Sequence, residues 1–371
     1  MKTVVVTDAK YRASVAAVRT LGRAGYRVVV TQTRADCAWT PPAFVSRYVS
    51  ARHWLPGSAS DPHYADYLLA LLEQYDAPVL FCAGAATLNV VSWQRERFRT
   101  LCRFLIASPA SLDALNDKET VRRRCLELRL PVPLEYDGKP ERYPVVVKPH
   151  CGEKFGLKAQ ERYIIAQNEN EWKRALSIMS AYDAAPLVQE YLEGEGAGAS
   201  LLVGEDGALL DALCHRRVRE YPITGGPSSC CESVYDEGMI QQAYTLLRSF
   251  GFRGLAMVEF KAGRILEVNP RVWGSFPLTE KAGSPLTLRY VQAALGAPPP
   301  YAPRLYREGV RMRFLLNDSA AILSLLRCGR WREALRALPD CFFAEEALSS
   351  WRDPAPMFRY LRNALFTPRH Q

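Results

Sequence analysis

The stretch from Val258 to Arg271, which reads VEFKAGRILEVNPR, concentrates polar side chains whose spacing suits chemistry. Two apolar runs flank a short turn at 262–264, and polar and apolar residues alternate in the second run, which predicts a β-hairpin. A three-residue loop would place Glu259 directly opposite Glu267, with their Cβ atoms about 5 Å apart. A two-residue loop would place the two carboxylates on opposite faces of the hairpin.

Two carboxylates on one face repel each other unless a cation lies between them. A divalent metal is the simplest such cation, because Glu259, Glu267 and the side-chain carbonyl of Asn269 offer the hard oxygen ligands that suit Mg²⁺. Arg271 on the same face would add a planar guanidinium that can hold a phosphate or a carboxylate. The competing interpretation is an ordinary hairpin with solvated faces, and this stretch alone leaves both interpretations open.

Composition places the chain among ordinary globular proteins. Its 371 residues, 48% hydrophobic and 23% charged, are enough for two or three domains. The apolar run near the N-terminus is too short for a signal peptide, and no window approaches ~20 uninterrupted apolar residues, so we expect a cytoplasmic protein without a membrane span. The ten cysteines show no spacing typical of zinc sites. The net charge of +9 would suit a polyanion, but no nucleic-acid-binding module is recognisable, so nucleic acid is not the favoured partner.

The order of predicted elements indicates more than one kind of domain. Residues 2–31 read as a strand, a helix and a second strand, without the GxGxxG of a dinucleotide site. Further strands, among them 104–107, complete an open, mostly parallel α/β domain over residues 1–108. The following region mixes helices with antiparallel strands, which is typical of an α+β unit. After a proline-rich break at 298–300, amphipathic helical patterns predict a tail that packs against the body.

Five motifs, in this order, resemble those of the ATP-grasp superfamily, the fold shared by biotin carboxylase, carbamoyl phosphate synthetase and D-alanine:D-alanine ligase. They are Asp117-Lys118, the strand VVVKP at 145–149, a glycine-containing loop at 151–157, the run VQEYLEG at 188–194, and the paired-glutamate hairpin ending in Asn269-Pro270-Arg271. The resemblance spans roughly residues 1–300 and favours the metal-binding interpretation of the hairpin, with Glu259, Glu267 and Asn269 as ligands.

The resemblance implies a fold class that combines α/β with α+β. The N-terminal open parallel α/β domain would occupy residues 1–108. A two-lobed ATP-grasp fold would follow, with a small lobe at 109–187 and a catalytic lobe at 188–300. A mostly helical C-terminal extension would occupy 301–371.

The resemblance also implies which residues bind ATP. Lys148 would project its ammonium group toward the phosphates, and the loop at 151–157 would close over the β and γ phosphates through backbone amide groups. Backbone groups of Glu190 and Leu192 would contact the adenine edge, and Glu195 would contact the ribose hydroxyls. The full set expected to bind the nucleotide is Lys118, Lys148, Gly152, Gly156, Gln189, Glu190, Tyr191, Leu192 and Glu195.

A basic segment, HRRVR at 215–219, lies shortly before the predicted hairpin. We expect it to form a substrate or phosphate loop, and its competing interpretation is a basic loop with a turn. Arg217 and Arg219 are the better candidates within it because alternation places them on one face. Together with Arg271 they are the predicted catalytic residues, holding a carboxylate or a transferring phosphoryl group.

The resemblance implies an ATP-dependent carboxylate–amine ligase. A carboxylate would attack the γ-phosphate of ATP to give ADP and an acylphosphate, which an amine would capture to form an amide or peptide bond. The implied cofactors are ATP and Mg²⁺, with Mn²⁺ as a substitute, and the implied partners are a small carboxylate and an amine. Family analogy also suggests a homodimer. Two alternatives stay open: an ATP-dependent phosphotransferase without amine capture, and a nucleotide-binding scaffold protein.

Overall fold

Three β-sheets organise the part of the chain that the structure, a computed structural model, describes: residues 2–150, 157, 161, 163–223 and 225–366. The strands of the first sheet are β1 (Thr3–Val6), β2 (Arg27–Thr33), β3 (Val49–Leu55) and β4 (Val79–Phe81). They are parallel and lie in the order β3-β2-β1-β4. Its helices are α1 (Arg12–Arg23), α2 (Tyr64–Gln74), α3 (Ala85–Trp93) and α4 (Arg95–Arg99), with a short 3-10 helix at Pro42–Val45. The β-branched run of β1 is buried along its whole length, as expected for a parallel strand covered on both faces.

The predicted strand at 104–107 is wrong as a regular strand. Among the described residues, the segment makes one isolated bridge, from Ile106 to Gly254, and Arg103 just before it makes another to Val79. It therefore crosses from the first sheet to the third sheet. The crossing requires glycine at 254, because a Cβ there would lie 2.3 Å from the Leu105 carbonyl oxygen.

The second sheet is small and antiparallel. It follows two helices, α5 (Pro109–Asn116) and α6 (Lys118–Glu127), and it contains β5 (Val145–Lys148), β6 (Ile164–Ala166), the helix α7 (Glu169–Met179) and β7 (Leu187–Glu190). The strand order is β6-β5-β7. Trp172 and Met179 of α7 pack on Val145 and Val147 to form a separate small core. The expected limit between lobes at residues 187 and 188 falls inside β7, which pairs with β5.

The third sheet has seven strands and carries the hairpin. Its strands are β8 (Gly196–Val203), β9 (Leu209–Glu220), β10 (Ser228–Val234), β11 (Gly254–Lys261), β12 (Arg264–Asn269), β13 (Arg311–Arg313) and β14 (Glu345–Glu346). They lie in the order β12-β11-β8-β9-β10-β13-β14 and are antiparallel except for the β13–β14 pair. Its helices are α8 (Glu237–Ser249), α9 (Pro277–Ala282) and α10 (Leu286–Ala294). The basic segment at 215–219 was expected to be a loop but is the second half of β9, because its pairing with β10 continues to Glu220.

The C-terminal region is mostly helical, as predicted. Its helices are α11 (Leu315–Arg327), α12 (Trp331–Ala337), α13 (Asp340–Phe343) and α14 (Ala355–Phe366). It also supplies β13 and β14 to the edge of the third sheet, so it is integrated into the body. Among the described residues, no helix combines the length and the apolar character needed to cross a bilayer.

The first and third sheets share their hydrophobic cores. The hydroxyl of Tyr290 donates a hydrogen bond to the Leu80 carbonyl (3.0 Å) and accepts one from the Leu105 amide (3.1 Å). Its ring packs edge-on against Phe81, with ring centroids 5.1 Å apart. Helix α10 therefore fastens the first sheet to the third and fixes the edge of the first sheet relative to the hairpin.

A fully buried guanidinium ties the C-terminal region to helix α1. The Arg19 Nε atom lies 2.9 Å from Asp353 Oδ2, and its Nη2 atom donates to the carbonyls of Leu348 (2.8 Å) and Asp353 (2.6 Å). Asp353 also accepts hydrogen bonds from the Ser46 hydroxyl (2.7 Å) and the Arg47 amide (2.9 Å). The carboxylate thus joins three separate parts of the chain.

Replacing Asp353 with alanine should destabilise the protein by about 3–5 kcal/mol, because the buried Arg19 guanidinium would lose its hydrogen-bonded carboxylate and keep only Glu280, whose Oε2 lies 3.7 Å from Arg19 Nη1. The free energy of unfolding in urea measures this loss. Glu205→Gln is the control, since Glu205 forms an exposed pair with Arg99 whose removal should cost at most about 1 kcal/mol. Equal effects of the two substitutions would contradict the assignment of Asp353 as a structural anchor.

Candidate functional site

The hairpin places Glu259 opposite Glu267, although its turn differs from the predicted one. The turn has two residues, Ala262 (φ 48°) and Gly263 (φ 73°). Positive φ at both positions is typical of a type I′ turn, which favours glycine at its second position. The pairing then shifts by one residue between Phe260 and Glu259, so that Leu266 is an extra residue in β12. The expected three-residue loop is wrong, but this β-bulge restores the register that brings the carboxylates together.

Cationic and amide groups surround the two carboxylates. Arg217 donates a hydrogen bond from its Nη2 to Glu259 Oε2, and the Asn269 side-chain amide donates to Glu259 Oε1 at 3.0 Å. The Nζ atom of Lys118 lies 3.2 Å from Glu267 Oε2. The structure therefore brings together both predicted metal ligands, the third ligand Asn269, one predicted catalytic arginine and one predicted phosphate lysine.

Burial and neighbouring charge move the pKa values of the two carboxyls in opposite directions. Burial raises the pKa of Glu259, and the charge of Glu267 adds to this effect while Arg217 opposes it. Burial would also raise the pKa of Glu267, but Lys118 and Lys148 together outweigh it and lower that pKa. Glu267 is therefore the carboxylate that holds its negative charge more firmly.

Lys148 lies at the end of β5 and faces the same site. Burial lowers the pKa of its ammonium group to about 8, and the neighbouring Lys118 charge contributes to the lowering. The opposing attraction of Glu267 is smaller. Lys148 thus loses its charge just above neutral pH unless an anion binds beside it.

Two glycines of β8 make room for the basic residues of β9. A Cβ at Gly198 would lie 2.5 Å from His215 Cε1, and a Cβ at Gly196 would lie 2.8 Å from Arg217 Cδ. The two side chains therefore lie across β8, where any larger residue would displace them. Alternating glycines in a strand beside a basic strand are a sequence signal for this close approach.

His215 is a neutral group in this site. Burial lowers its pKa to about 3, and the charge of Arg217 acts in the same direction. Its Nε2 atom lies 3.5 Å from the Ser275 hydroxyl. The imidazole is therefore uncharged at neutral pH and adds no positive charge beside Arg217.

Two cavities flank the carboxylate pair, and Arg271 and Ala85 line both of them. One, of about 280 Å³, lies between helices α3, α5 and α6 and the end of β12, and Lys118, Glu267 and Asn269 contribute to its wall. The other is larger, about 550 Å³. Its polar lining consists of Tyr11, Arg12, His215, Arg217, Ser228, Glu259, Arg271, Ser275 and Asn317.

Arg12, which the sequence analysis did not single out, is a notable member of the larger cavity. Its guanidinium stacks over the Phe314 ring (4.4 Å) and the Tyr360 ring (5.4 Å), both from the C-terminal region. Within the described residues it forms no ion pair or hydrogen bond. No local pattern points to Arg12, because its aromatic partners are about 300 residues away in the sequence.

The predicted nucleotide residues cluster only in part. Lys118, Lys148 and Gln189 line one narrow gap of about 10 Å³ against Ile265 and Leu266 of the hairpin. This gap is much too small for a nucleotide. The Gln189 side chain is buried, with its amide 3.5 Å from Glu135 Oε2.

The hinge at 190–192 is already partly hydrogen-bonded. The Glu190 amide donates to the Leu134 carbonyl (2.9 Å), and the Tyr191 amide donates to the Pro144 carbonyl (3.1 Å). The Glu190 carboxylate accepts a hydrogen bond from the Leu134 amide (2.6 Å) and pairs with Arg264 of the hairpin. Among the described residues, none accepts a hydrogen bond from the Leu192 amide, which is thus the backbone donor still available to a ligand.

Glu195 and Arg219 line a third cavity, of about 270 Å³, together with Arg217 and Lys261. The Glu195 side chain is 69% exposed and lies 3.7 Å from Arg216. Its predicted ribose contact stays a prediction. The loop residues Gly152 and Gly156 lie outside the described residues.

Arg219 has a different environment from the one expected for a catalytic residue. It forms a two-pronged ion pair with Asp318 (2.8 and 2.9 Å) and contacts Asp340 at 2.6 Å. It lines neither of the cavities that share Arg271. The prediction that Arg217 and Arg219 share a face is wrong, because the pairing of β9 with β10 shifts between them: Arg217 lies opposite Cys231 and Arg219 opposite Cys230, and these adjacent residues point to opposite faces of the sheet. Distant carboxylates from α11 and α13 engage Arg219, so the geometry supports a structural role.

The oxygen donors of the hairpin fit Mg²⁺ only if a ligand supplies further oxygens. Among the residues that the structure describes, no group of three or more histidine, cysteine or acidic side chains could hold a metal ion. Glu259, Glu267 and Asn269 offer two carboxylates and one amide oxygen, which suits a cation that also binds phosphate oxygens and water. Arg217 and Lys118 neutralise the carboxylates from either side.

Comparison with known proteins identifies the fold. The family profile described as an ATP-grasp domain matches residues 115–275, a range that contains Lys118, Lys148 and the whole hairpin. No curated protein sequence matches the chain significantly.

Several solved structures are similar. The biotin carboxylase–β-γ-ATP complex from Campylobacter jejuni has a TM-score of 0.62 at 15% identity, covering 84% of this chain and 74% of that one. The biotin carboxylase domain dimer of the Hydrogenobacter thermophilus 2-oxoglutarate carboxylase, in complex with MgADP, ADP and bicarbonate, has a TM-score of 0.62 at 14% identity, covering 84% and 73%. Rhizobium etli pyruvate carboxylase has a TM-score of 0.59 at 12% identity, covering 84% of this chain and 30% of that one.

At these identities the similarity establishes the fold, and the predicted fold class is confirmed: an N-terminal parallel α/β region, two further sheets and a helical C-terminal region. The order of motifs that suggested the superfamily is confirmed independently by the profile match. The chain has the ATP-grasp fold, and the profile of an ATP-grasp domain matches its residues 115–275.

Proposed function

We propose that the protein is an ATP-dependent carboxylate–amine ligase that forms an amide or peptide bond through an acylphosphate. The observation that carries the proposal is the Glu259–Glu267 pair, held between Lys118 and Arg217 and opening toward an arginine-lined cavity of about 550 Å³. A nucleotide-binding scaffold would not need a second, cationic cavity beside paired carboxylates. The ATP-grasp fold of the chain supports the proposal.

Residues on both sides of the cleft would hold the nucleotide. Lys118 and Lys148 supply ammonium groups for phosphate oxygens, and the Leu192 amide supplies a donor for the adenine. Because the gap between Lys148 and the hairpin is about 10 Å³, binding requires the second sheet to move away from β12. Glu259, Glu267 and Asn269 would hold Mg²⁺, or Mn²⁺ in its place, which when bound neutralises phosphate charge.

The arginines of the larger cavity would position the acid. Arg271 lines both cavities, so it can contact a group that passes from one to the other. In the first step an oxygen of the substrate carboxylate bonds to the γ-phosphorus, and the bond to the β-bridging oxygen breaks to release ADP. In the second step the amine bonds to the acyl carbon, phosphate leaves and the amine loses a proton. Arg217 and Arg271 would stabilise the charge on the acylphosphate.

The surroundings of Arg12 indicate which class of carboxylic acid would be the substrate. Its guanidinium is fixed by two aromatic rings and has no carboxylate partner within the described residues, so a substrate anion is the natural complement. An acid that engages Arg217 and Arg271 with its reacting carboxylate would need a second anionic group to reach Arg12. We therefore propose an acid with at least two anionic groups.

The oligomeric state and location also stay proposals. The structure of the Hydrogenobacter thermophilus domain is described as a dimer, which supports a homodimer by analogy. We retain the cytoplasm as the proposed location, and a small carboxylate and an amine as the proposed partners.

The first test is ADP release from MgATP in the presence of pooled carboxylic acids, with and without pooled amines. Wild-type protein should release ADP only when acid and amine are both present. Glu267→Gln should lower the rate about a hundredfold or more, because it removes the carboxylate that stays charged. Glu205→Gln, in the turn at the opposite end of β8, should behave as wild type.

The same assay separates the alternatives. Acid-dependent release that ignores amines would favour the phosphotransferase. ATP binding without release under every condition would favour the nucleotide-binding scaffold and contradict the ligase proposal.

ATP affinity should weaken as the pH rises through about 8, because Lys148 loses the positive charge that phosphate oxygens require. The expected loss is about tenfold to a hundredfold by pH 9.5. Calorimetric titration of ATP between pH 7 and 9.5 measures it. Lys148→Arg keeps its charge and should flatten the profile, whereas Lys173→Arg, on the exposed face of α7, should not. An unchanged profile in Lys148→Arg would disprove the phosphate contact.

Arg12→Gln should lower kcat/KM for the active acid about tenfold to a hundredfold while leaving the KM for ATP unchanged, because one charged hydrogen bond is lost. Arg34→Gln is the matched control, since Arg34 stacks on Trp54 at 4.0 Å and does not line the cavity. If Arg12→Gln is as active as Arg34→Gln, the second anionic group is not recognised by Arg12.

A further inference from the structure

The outer face of helices α11, α12 and α13 exposes large apolar side chains in a regular pattern. On α11 the exposed leucines are spaced seven and three residues apart, and on α12 Trp331, Leu335 and Leu338 are spaced four and three apart, so each set lies on one helical face. Phe342 and Phe343 of α13 are 82% and 85% exposed. This apolar face consists of Leu316, Leu323, Leu326, Trp331, Leu335, Leu338, Phe342 and Phe343.

The inner faces of the same helices are already occupied. Ile322 and Leu325 of α11 pack against Ala334 and Ala337 of α12, with Ile223 of the body packed against them. Both helices therefore have an inner and an outer apolar face. Large apolar side chains that are exposed on successive helices and lie among charged residues are typical of an interaction site.

Exposed arginines outnumber exposed acidic residues among and beside the residues of the apolar face. Arg327, Arg330, Arg332 and Arg336 are exposed between and beside the apolar residues, and Glu333, which pairs with Arg330 at 2.6 Å, is the exposed acid among residues 315–343. The other two acids of this stretch, Asp318 and Asp340, are buried and paired with arginines of the third sheet. The outward surface is therefore both apolar and cationic.

We propose that the apolar face binds peripherally to a membrane surface rich in anionic phospholipid. Tryptophan, phenylalanine and leucine side chains would enter the boundary between headgroups and acyl chains, and the arginines would contact lipid phosphates. The helices would lie in the plane of the interface without crossing it. This surface is separate from the cavities beside Glu259 and Glu267, so the inference does not depend on the proposed function.

The distribution of charge favours a membrane over a protein partner. Four exposed arginines lie among the apolar residues with one exposed acid, so a partner of this face has to supply a dense layer of negative charge beside an apolar region. A symmetric contact between two copies would place cationic faces opposite each other, which is unfavourable. A lipid headgroup layer instead offers one phosphate for each arginine and an apolar region beneath it.

The test is co-sedimentation of the full chain with vesicles of phosphatidylcholine, with and without phosphatidylglycerol. Binding should be at least about tenfold stronger to the vesicles that contain phosphatidylglycerol and should weaken at high salt. The double variants Phe342→Ser/Phe343→Ser and Arg332→Glu/Arg336→Glu should each lower the bound fraction about tenfold. Trp93→Ser and Arg174→Glu, at exposed positions on α3 and α7, are the matched controls and should bind as wild type.

Several outcomes would overturn the proposal. Equal binding to neutral and anionic vesicles, no binding at low salt, or unchanged binding of both double variants would each do so. Light scattering on the same proteins measures self-association. If the wild-type protein is a dimer that does not bind lipid, and Phe342→Ser/Phe343→Ser abolishes the dimer, the apolar face binds a second copy of the chain instead of a membrane. Thermal unfolding of each variant confirms that the altered side chains leave the fold intact.

Discussion

The repulsion between Glu259 and Glu267 is the constraint that shapes the centre of this protein. Two partly buried carboxylates face each other across adjacent strands, which is unfavourable without compensating charge. The compensation comes from separate elements: Arg217 from β9 and Lys118 from the start of α6. Because these elements belong to different parts of the chain, the electrostatics of one pair fixes how they meet. Gly196 and Gly198 of β8 leave room for the side chains of Arg217 and His215 to lie across that strand.

Residues from distant parts of the chain together line the larger cavity beside the carboxylate pair. The larger cavity takes one wall from the first sheet, one from β9 and β11, and one from the residues that precede and begin α11. Arg12 shows the dependence most clearly, since a residue of α1 is oriented by rings at 314 and 360. The C-terminal region therefore belongs to the site as much as to the surface, and it adds strands to the sheet that carries the carboxylates.

The sequence allowed the fold and the central pair to be predicted because they depend on local patterns. Buried β-branched runs and the alternation in β12 are present in the structure, and the profile match covers the region of the motifs. The bulge at Leu266 could not be foreseen, since it depends on packing rather than on the turn sequence. Arg219 and Arg12 show the same limit: the sequence predicted a catalytic role for Arg219 and gave no indication of a role for Arg12. Carboxylates some hundred residues away engage Arg219, and distant aromatic rings orient Arg12, so the role of each is set by tertiary contacts that no spacing rule encodes.

The anchoring of Arg19 has a consequence for the order in which the molecule can be assembled. Its hydrogen-bonded partner Asp353 follows 334 residues later, and the second carboxylate beside it, Glu280, also lies far along the chain, so a ribosome must synthesise most of the chain before the guanidinium of α1 meets either carboxylate. The first sheet emerges early, yet Arg19 meets neither carboxylate until Glu280 and then Asp353 have been made. Contacts between such distant residues are slow to form. The buried contacts of α1 thus form only after the residues around Glu280 and Asp353 have been made.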